Sequence, residues 1–274
     1  MNNLTKYTNT PIIGLLIKKI MDFTVNREVK TVARHFSTYL HPLIAENNEL
    51  CNESYRIRND VFCKELKCLD IGHNGLETDD FDKYSTHCLI QHIATTRFSG
   101  TIRVIRPETN QDTIPLQKYC SESISKGKIN PQDFAPHEIC EISRLAVPKD
   151  FRKRLTDNFN GAATGVINQS IYSENELRCF PFIAVGLYLS AASVVMKNDI
   201  KHTFVMMEPR LARSMNFIGI QFEPIGSTVD YYGKRAPYYI NPSLLMENLT
   251  PGFQVMLKDI KKSLYHSSKH KTFF

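Results

Sequence analysis

The run Glu141-Ile-Ser-Arg-Leu-Ala-Val147 sets an acid, a hydroxyl and a guanidinium inside an otherwise apolar stretch. Read as a strand of period two, it puts Glu141, Ser143, Leu145 and Val147 on one face and Ile142, Arg144 and Ala146 on the other. In a central strand the acid and the arginine both leave water, and each needs a partner or costs stability. Partners lie upstream: Arg103 between Ile102 and Val104, Asp79 and Asp82 in the acidic loop Glu77-Thr-Asp-Asp-Phe-Asp82, and Arg58 on the preceding helix. A network of Arg58, Asp79, Asp82, Arg103, Glu141 and Arg144 satisfies every charge. It reads either as a functional constellation or as a salt-bridge cluster that fixes the loop.

Other chemistries start low. There is no H-E-x-x-H, G-x-S-x-G, phosphate-loop or dinucleotide motif. Seven cysteines without a C-x-x-C pair read as free thiols in a reducing cytoplasm. Cys63 and Cys68 with His73 and His87 match no common zinc spacing, so no metal is expected. Lys and Arg total 34 against 28 Asp and Glu, a net charge of +6 that allows an anionic partner without demanding one. The 274 residues, 42% hydrophobic and 23% charged, have the balance of a soluble globular protein. No apolar run reaches the roughly 18 residues that cross a bilayer. Lys18 and Lys19 follow the first apolar stretch instead of preceding it, which is not a secretory layout, and a cytoplasmic location is expected.

The elements that must position the charged residues alternate between helix and strand. Ile12, Ile13, Leu15, Leu16, Ile20 and Met21 give a weakly amphipathic N-terminal helix or arm. Two helices are expected between Asn26 and Leu66, the second turning Tyr55, Val61, Phe62 and Leu66 to the core. His87 to Ala94 and Thr101 to Ile105 form a hairpin, and Pro107 to Pro136 a long polar excursion. Ile139 to Val147 is a further strand, followed by a basic loop at Phe151-Arg-Lys-Arg-Leu and an irregular stretch to about Cys179. Phe182 to Lys197 is a nearly all-apolar helix, His202 to Met207 a buried strand, and Pro209 to Asn216 a short helix opened by proline. This gives one mixed α/β domain with an α-helical N-terminal extension.

The series Arg58-x-x-x-Phe62, Glu77-x-Asp79-x-x-Asp82, Gly100-x-x-Arg103 and Glu141-x-Ser143-Arg144 resembles the signature of the acyl-homoserine lactone (autoinducer) synthases, a branch of the GCN5-related N-acyltransferase fold. The blocks match in internal spacing and in order. Further on, His202-Thr-Phe-Val-Met-Met-Glu-Pro-Arg-Leu211, Phe222-Glu-Pro-Ile-Gly226 and Val229-Asp-Tyr-Tyr-Gly-Lys-Arg-Ala-Pro-Tyr238 resemble the acyltransferases associated with the PEP-CTERM/exosortase system and the long-chain N-acyl amino acid synthases. The resemblance runs from about Tyr55 to Leu245. It implies a mixed central sheet flanked by helices, divided as an N-terminal helical arm over 1–48, an N-acyltransferase domain over 49–248 and a basic C-terminal tail over 249–274. In two places the chain departs from the pattern. Cys68 stands where the lactone synthases carry tryptophan, which weighs against their S-adenosylmethionine site. Pro148-Lys-Asp-Phe-Arg-Lys-Arg154 replaces the glycine-rich pyrophosphate loop of acetyl-coenzyme A users, which fits an acyl carrier protein as donor.

The resemblance therefore implies transfer of a long fatty acyl group from the phosphopantetheine of an acyl carrier protein to the amino group of an amino acid, with no permanently bound cofactor. A lactone synthase is the alternative enzyme, and a non-catalytic protein that holds the carrier or a lipid is the alternative of another class. Glu141 is the candidate base, with a structural ion pair to Arg103 or Arg144 as its bland reading. Ser143 and Arg144 join it as catalytic candidates, and N–H groups of a strand bulge around Arg144 to Ala146 would hold the oxyanion. Arg58, Phe62, Asp79 and Asp82 shape the acceptor side. Arg103, Arg144 and Arg210 compete for the acceptor's carboxylate, and Glu208 beside Arg210 offers a plain surface ion pair. The apolar helix walls an acyl tunnel or merely fills the core. Arg152, Lys153 and Arg154 would dock the acidic carrier protein. The tail from Lys258 to Lys271 suits a frayed helix or peripheral contact with an anionic membrane, and nucleic acid is not expected.

Overall fold

The structure, a computed structural model, describes residues 36–71, 73–152, 182–216 and 218–266. Eight strands make one sheet: β1 (Leu40–Ile44), β2 (Ser85–His92), β3 (Phe98–Ile105), β4 (Ile139–Ala146), β5 (His202–Met207), β6 (Glu223–Pro224), β7 (Val229–Asp230) and β8 (Lys234–Ile240). Their order is β1-β2-β3-β4-β5-β8-β6, with β7 paired to β8. Every pairing is antiparallel except β4 with β5. A parallel pair needs a crossover connection, and helix Ile183–Lys197 lies on that connection. In chain order the helices are α1 (Asn48–Arg58), α2 (Pro115–Tyr119), α3 (Ile183–Lys197), α4 (Pro209–Asn216), α5 (Pro242–Asn248) and α6 (Pro251–His266).

Period-two alternation sorts the sheet's faces. Cys140 and Ile142 of β4 and Val205 and Met207 of β5 join the cluster built around α3, while Ile139, Phe204 and Met206 join Ile105, Ile114 and Leu116 on the opposite face. α3 is apolar on all sides because it lies against the sheet and is covered in turn by α6, whose Phe253, Met256, Leu257, Ile260 and Leu264 are buried. Gly100 on β3 has a packing reason: a Cβ there would lie 2.8 Å from Leu187 Cδ1 and 3.0 Å from the Ala146 carbonyl oxygen.

Both boundaries drawn from the sequence move. The sheet already begins at β1, inside the expected arm, and residues 1–35 lie outside the described set. The expected tail is, over Pro251–His266, a helix whose apolar residues recur at helical spacing and pack on α3, with Lys258, Lys261 and Lys262 exposed. Of the two helices expected between Asn26 and Leu66, the described residues hold a helical stretch at residues 36–39, directly before β1, and the whole of α1. Asn47 caps α1 by accepting from Leu50 N–H at 2.9 Å, and the helix continues into a π-helical turn, Asn59–Glu65, that carries Phe62.

Candidate active site

β4 and β5 stay in register only from Ile139 opposite His202 to Ile142 opposite Val205. On its other edge β4 sets Ser143 opposite Arg103 and Ala146 opposite Thr101, so three steps on β4 match two on β3. That extra residue is a β-bulge. Arg144 lies in it with φ 54°, the left-handed region that side chains disfavour. A cavity of about 540 Å³ opens where the pairing of β4 and β5 ends, floored by Glu141 to Leu145 and walled by Met206, Met207 and Tyr188.

The bulge corrects the strict alternation read from the sequence, for it carries the Arg144 guanidinium to the acids that also hold Arg103. Arg144 Nη2 donates to Glu77 Oε1 at 2.9 Å and to Asp79 Oδ2 at 3.1 Å. Arg103, sealed from solvent, donates to Asp79 Oδ1 at 2.5 Å, to Asp82 Oδ1 at 2.7 Å and to Ser143 Oγ at 3.1 Å. Arg58, equally buried, grips Asp82 with two bonds of 2.7 and 3.1 Å and also donates to Glu77. Three guanidiniums thus meet three carboxylates. The Asp79-x-x-Asp82 spacing has a local cause: Asp79 Oδ1 accepts from Phe81 N–H, and Asp82 Oδ2 accepts from Asp79 N–H, a reciprocal cap on the short 3₁₀ turn Asp80–Tyr84. Burial alone would raise the Glu77 and Asp82 carboxyls, but the guanidiniums outweigh it and hold both below the usual carboxylate range. His87 beneath the network, 3.6 Å from Asp82, is pushed down to about 4 by burial and stays neutral.

Glu141 stands apart from this network, contrary to the six-member set expected from sequence; Glu77 takes the place assigned to it. Among the described residues no arginine bonds to Glu141. Its Oε2 accepts from Leu116 N–H at 2.7 Å, and burial pushes the carboxyl up to about 7 despite the fields of Arg103 and Arg144. The donor comes from α2, which begins Ile114-Pro115-Leu116 with proline in its first turn and buries Leu116 against β4's neighbours. The long polar excursion therefore contains the residue that orients the candidate base.

Residues 57–160 match the family model described as "Acetyltransferase (GNAT) domain". Solved structures carry the likeness across the sheet. The chain is similar to the AHL synthase LasI, with a TM-score of 0.51 and 17% identity over 77% of this chain and 95% of that one. It is also similar to the CoA-dependent acyl-homoserine lactone synthase MesI, with a TM-score of 0.51 and 14% identity over 81% and 94%. The chain has the GCN5-related N-acyltransferase (GNAT) fold. A third likeness is to FeeM, an N-acyl amino acid synthase from uncultured soil microbes, at a TM-score of 0.48 and 12% identity over 78% and 97%. Among curated proteins none matches the chain by sequence.

In this GNAT sheet the cavity gathers Phe62, Glu141, Ser143, Arg144, Glu208 and Arg210. Arg58, Asp79, Asp82 and Arg103 do not line it but brace its floor from behind. Ser143 uses its hydroxyl oxygen on Arg103, and Phe62 lies under the Arg144 guanidinium, 5.9 Å from carbon to ring centroid. With Arg103 sealed and Arg144 engaged by two acids, neither is an open clamp for a substrate carboxylate. The surface pair expected between Glu208 and Arg210 does not form. Arg210 instead faces the cavity with Arg235 of β8, a residue the sequence reading passed over although it stands in the quoted Val229 to Tyr238 segment, as do Tyr231 and Tyr232, which also line the wall. Arg152 reaches the rim and pairs with Glu65, while Lys153 and Arg154 lie outside the described residues. Among the described residues no cluster of His, Cys, Asp and Glu could hold a metal ion, and no helix is long and apolar enough to cross a membrane.

Proposed function

We propose that the protein is an N-acyltransferase that moves a long-chain fatty acyl group from a phosphopantetheine thioester, carried by an acyl carrier protein, to the amino group of an amino acid. The observation that carries this reading is Glu141: a buried carboxyl, raised to about 7, at the floor of the cavity where β4 parts from β5. A base poised near neutrality suits removal of a proton from an amine. In the proposed reaction Glu141, directly or through one water, takes a proton from the acceptor's ammonium. The freed nitrogen attacks the thioester carbonyl carbon, the oxygen becomes an oxyanion held by N–H groups of the bulge, and the C–S bond then breaks. The nitrogen, now bonded to carbon, gives up its second proton as the sulfur leaves and takes one up, so a thiol and a neutral amide result and Glu141 returns its proton to solvent.

The acceptor's carboxylate calls for an arginine, and Arg210 and Arg235 are the cavity's guanidiniums without a carboxylate partner among the described residues. For the acyl tail, Ile142 and Tyr188 line both the cavity and a small apolar pocket of about 30 Å³ beside Ala192, Val195 and Leu245, which gives the tail's proposed direction, although a long chain needs that pocket to widen. Arg152, at the rim, is the described member of the segment Arg152-Lys153-Arg154 proposed to dock the acidic carrier. The fold shared with LasI and MesI favours a lactone synthase as the second reading; Cys68 in place of tryptophan counts against it.

Turnover of an acyl thioester with an amino acid tests the role of Glu141. Activity at subsaturating substrate should rise with pH with a midpoint of about 7, as Glu141 loses its proton, and Glu141→Gln should abolish that limb. A rate that stays level between about pH 5.5 and 8.5 would remove Glu141 as the base.

A further inference from the structure

We propose that Arg144 is the positioning residue of the oxyanion site, and that its guanidinium acts on the backbone of β4 and not on substrate. The inference rests on the N-acyltransferase reading above. Its starting point is a conflict in β4: an arginine occupies a left-handed conformation, φ 54°, in the middle of a strand. Nothing in the local sequence favours that geometry, since glycine and asparagine are the residues that adopt it at least cost. The far end of the side chain supplies the reason. Arg144 is held by Glu77 through Nε and Nη2 at 3.1 and 2.9 Å and by Asp79 through Nη2 at 3.1 Å, and Phe62 packs against its plane.

Those anchors are themselves fixed. The Glu77 N–H donates to Tyr55 O on α1 at 3.1 Å and its carboxylate also takes Arg58, while Asp79 caps its own turn and binds Arg103 of β3. Three elements thus converge, through one guanidinium, on the residue where β4 bulges away from β3 and parts from β5. Bulging frees N–H groups from the ladder, and the stretch from Arg144 to Leu145 floors the cavity. The side-chain clamp keeps those donors aimed at the position of the developing oxyanion, where pre-set donors are worth most.

Two substitutions separate this role from a substrate contact. Arg144→Ala and Arg144→Gly lose the same ion pairs, and in both Glu77 keeps Arg58 and Asp79 keeps Arg103, so any shared folding defect cancels in their ratio. Glycine enters the left-handed region freely and alanine does not. With a purified acyl thioester and amino acid, Arg144→Ala should lower kcat about 100-fold, with KM for the amino acid little changed and the midpoint moved above about 7, equally in both variants, as the field of Arg144 is lost. Arg144→Gly should recover at least about tenfold of that loss. Equal rates for the two variants, or a raised KM with kcat intact, would overturn the assignment and return the guanidinium to substrate binding. Absence of any N-acyl product from the wild type would instead overturn the parent reading, and this assignment with it.

Discussion

Two kinds of buried carboxylate share this site, and their partners decide how each titrates. Glu77 and Asp82 face guanidiniums and stay ionised; Glu141 is met by one backbone N–H, and burial raises it to about 7. The folded value of Glu141 exceeds its ordinary 4.5, so its contribution to stability is complete below 4.5 and is lost as pH rises through about 7. Replacing it by glutamine keeps an acceptor for Leu116 N–H and removes the titration. Urea unfolding of the two proteins at about pH 5 and about pH 8 should therefore shift the balance toward Glu141→Gln by about 2.5 kcal/mol. A difference that does not change with pH would contradict the assigned environment. Much of the residue scale was legible in the sequence: Arg58, Asp79, Asp82, Arg103 and Arg144 do assemble, because charges embedded in apolar runs must find one another. The separation of Glu141 was not, since it depends on Leu116, 25 residues away.

At the scale of elements, strands and helices with a clear period lie within a few residues of where the pattern puts them: β4 runs Ile139–Ala146, α3 Ile183–Lys197, and β5 and α4 fall on their expected spans. Two elements were hidden for physical reasons. Pro42 argues against a strand, yet β1 is an edge strand, where a missing N–H is tolerated. The bulge in β4 leaves no mark on hydrophobic periodicity, because it is set by cross-strand register and by the anchoring of Arg144. α3 carries a prediction of its own. Ala192 lines the small apolar pocket beyond Tyr188, so Ala192→Phe should fill it and shift products to shorter acyl chains, with about a tenfold loss or more for the longest one. An unchanged chain-length profile by mass spectrometry would show that the tail lies elsewhere.

Across the whole molecule, a GNAT sheet is braced on one face by α3 and α6 and on the other by the segment that carries α2. The site lies where the single parallel pairing gives way, so fold and chemistry share one cause: β4 is bound to β5 at one end and drawn off by its bulge at the other. The described residues balance, with 23 Lys and Arg against 23 Asp and Glu, so the net charge of +6 belongs to residues outside the described set. The central claim, transfer of an acyl group to an amino acid with Glu141 as base, is tested most directly by mass spectrometry of lipid extracts from cells expressing the wild type or Glu141→Gln. N-acyl amino acids in the wild-type extract and their absence from the variant are the predicted result; no new lipid with the wild type, or equal amounts from both, would contradict it.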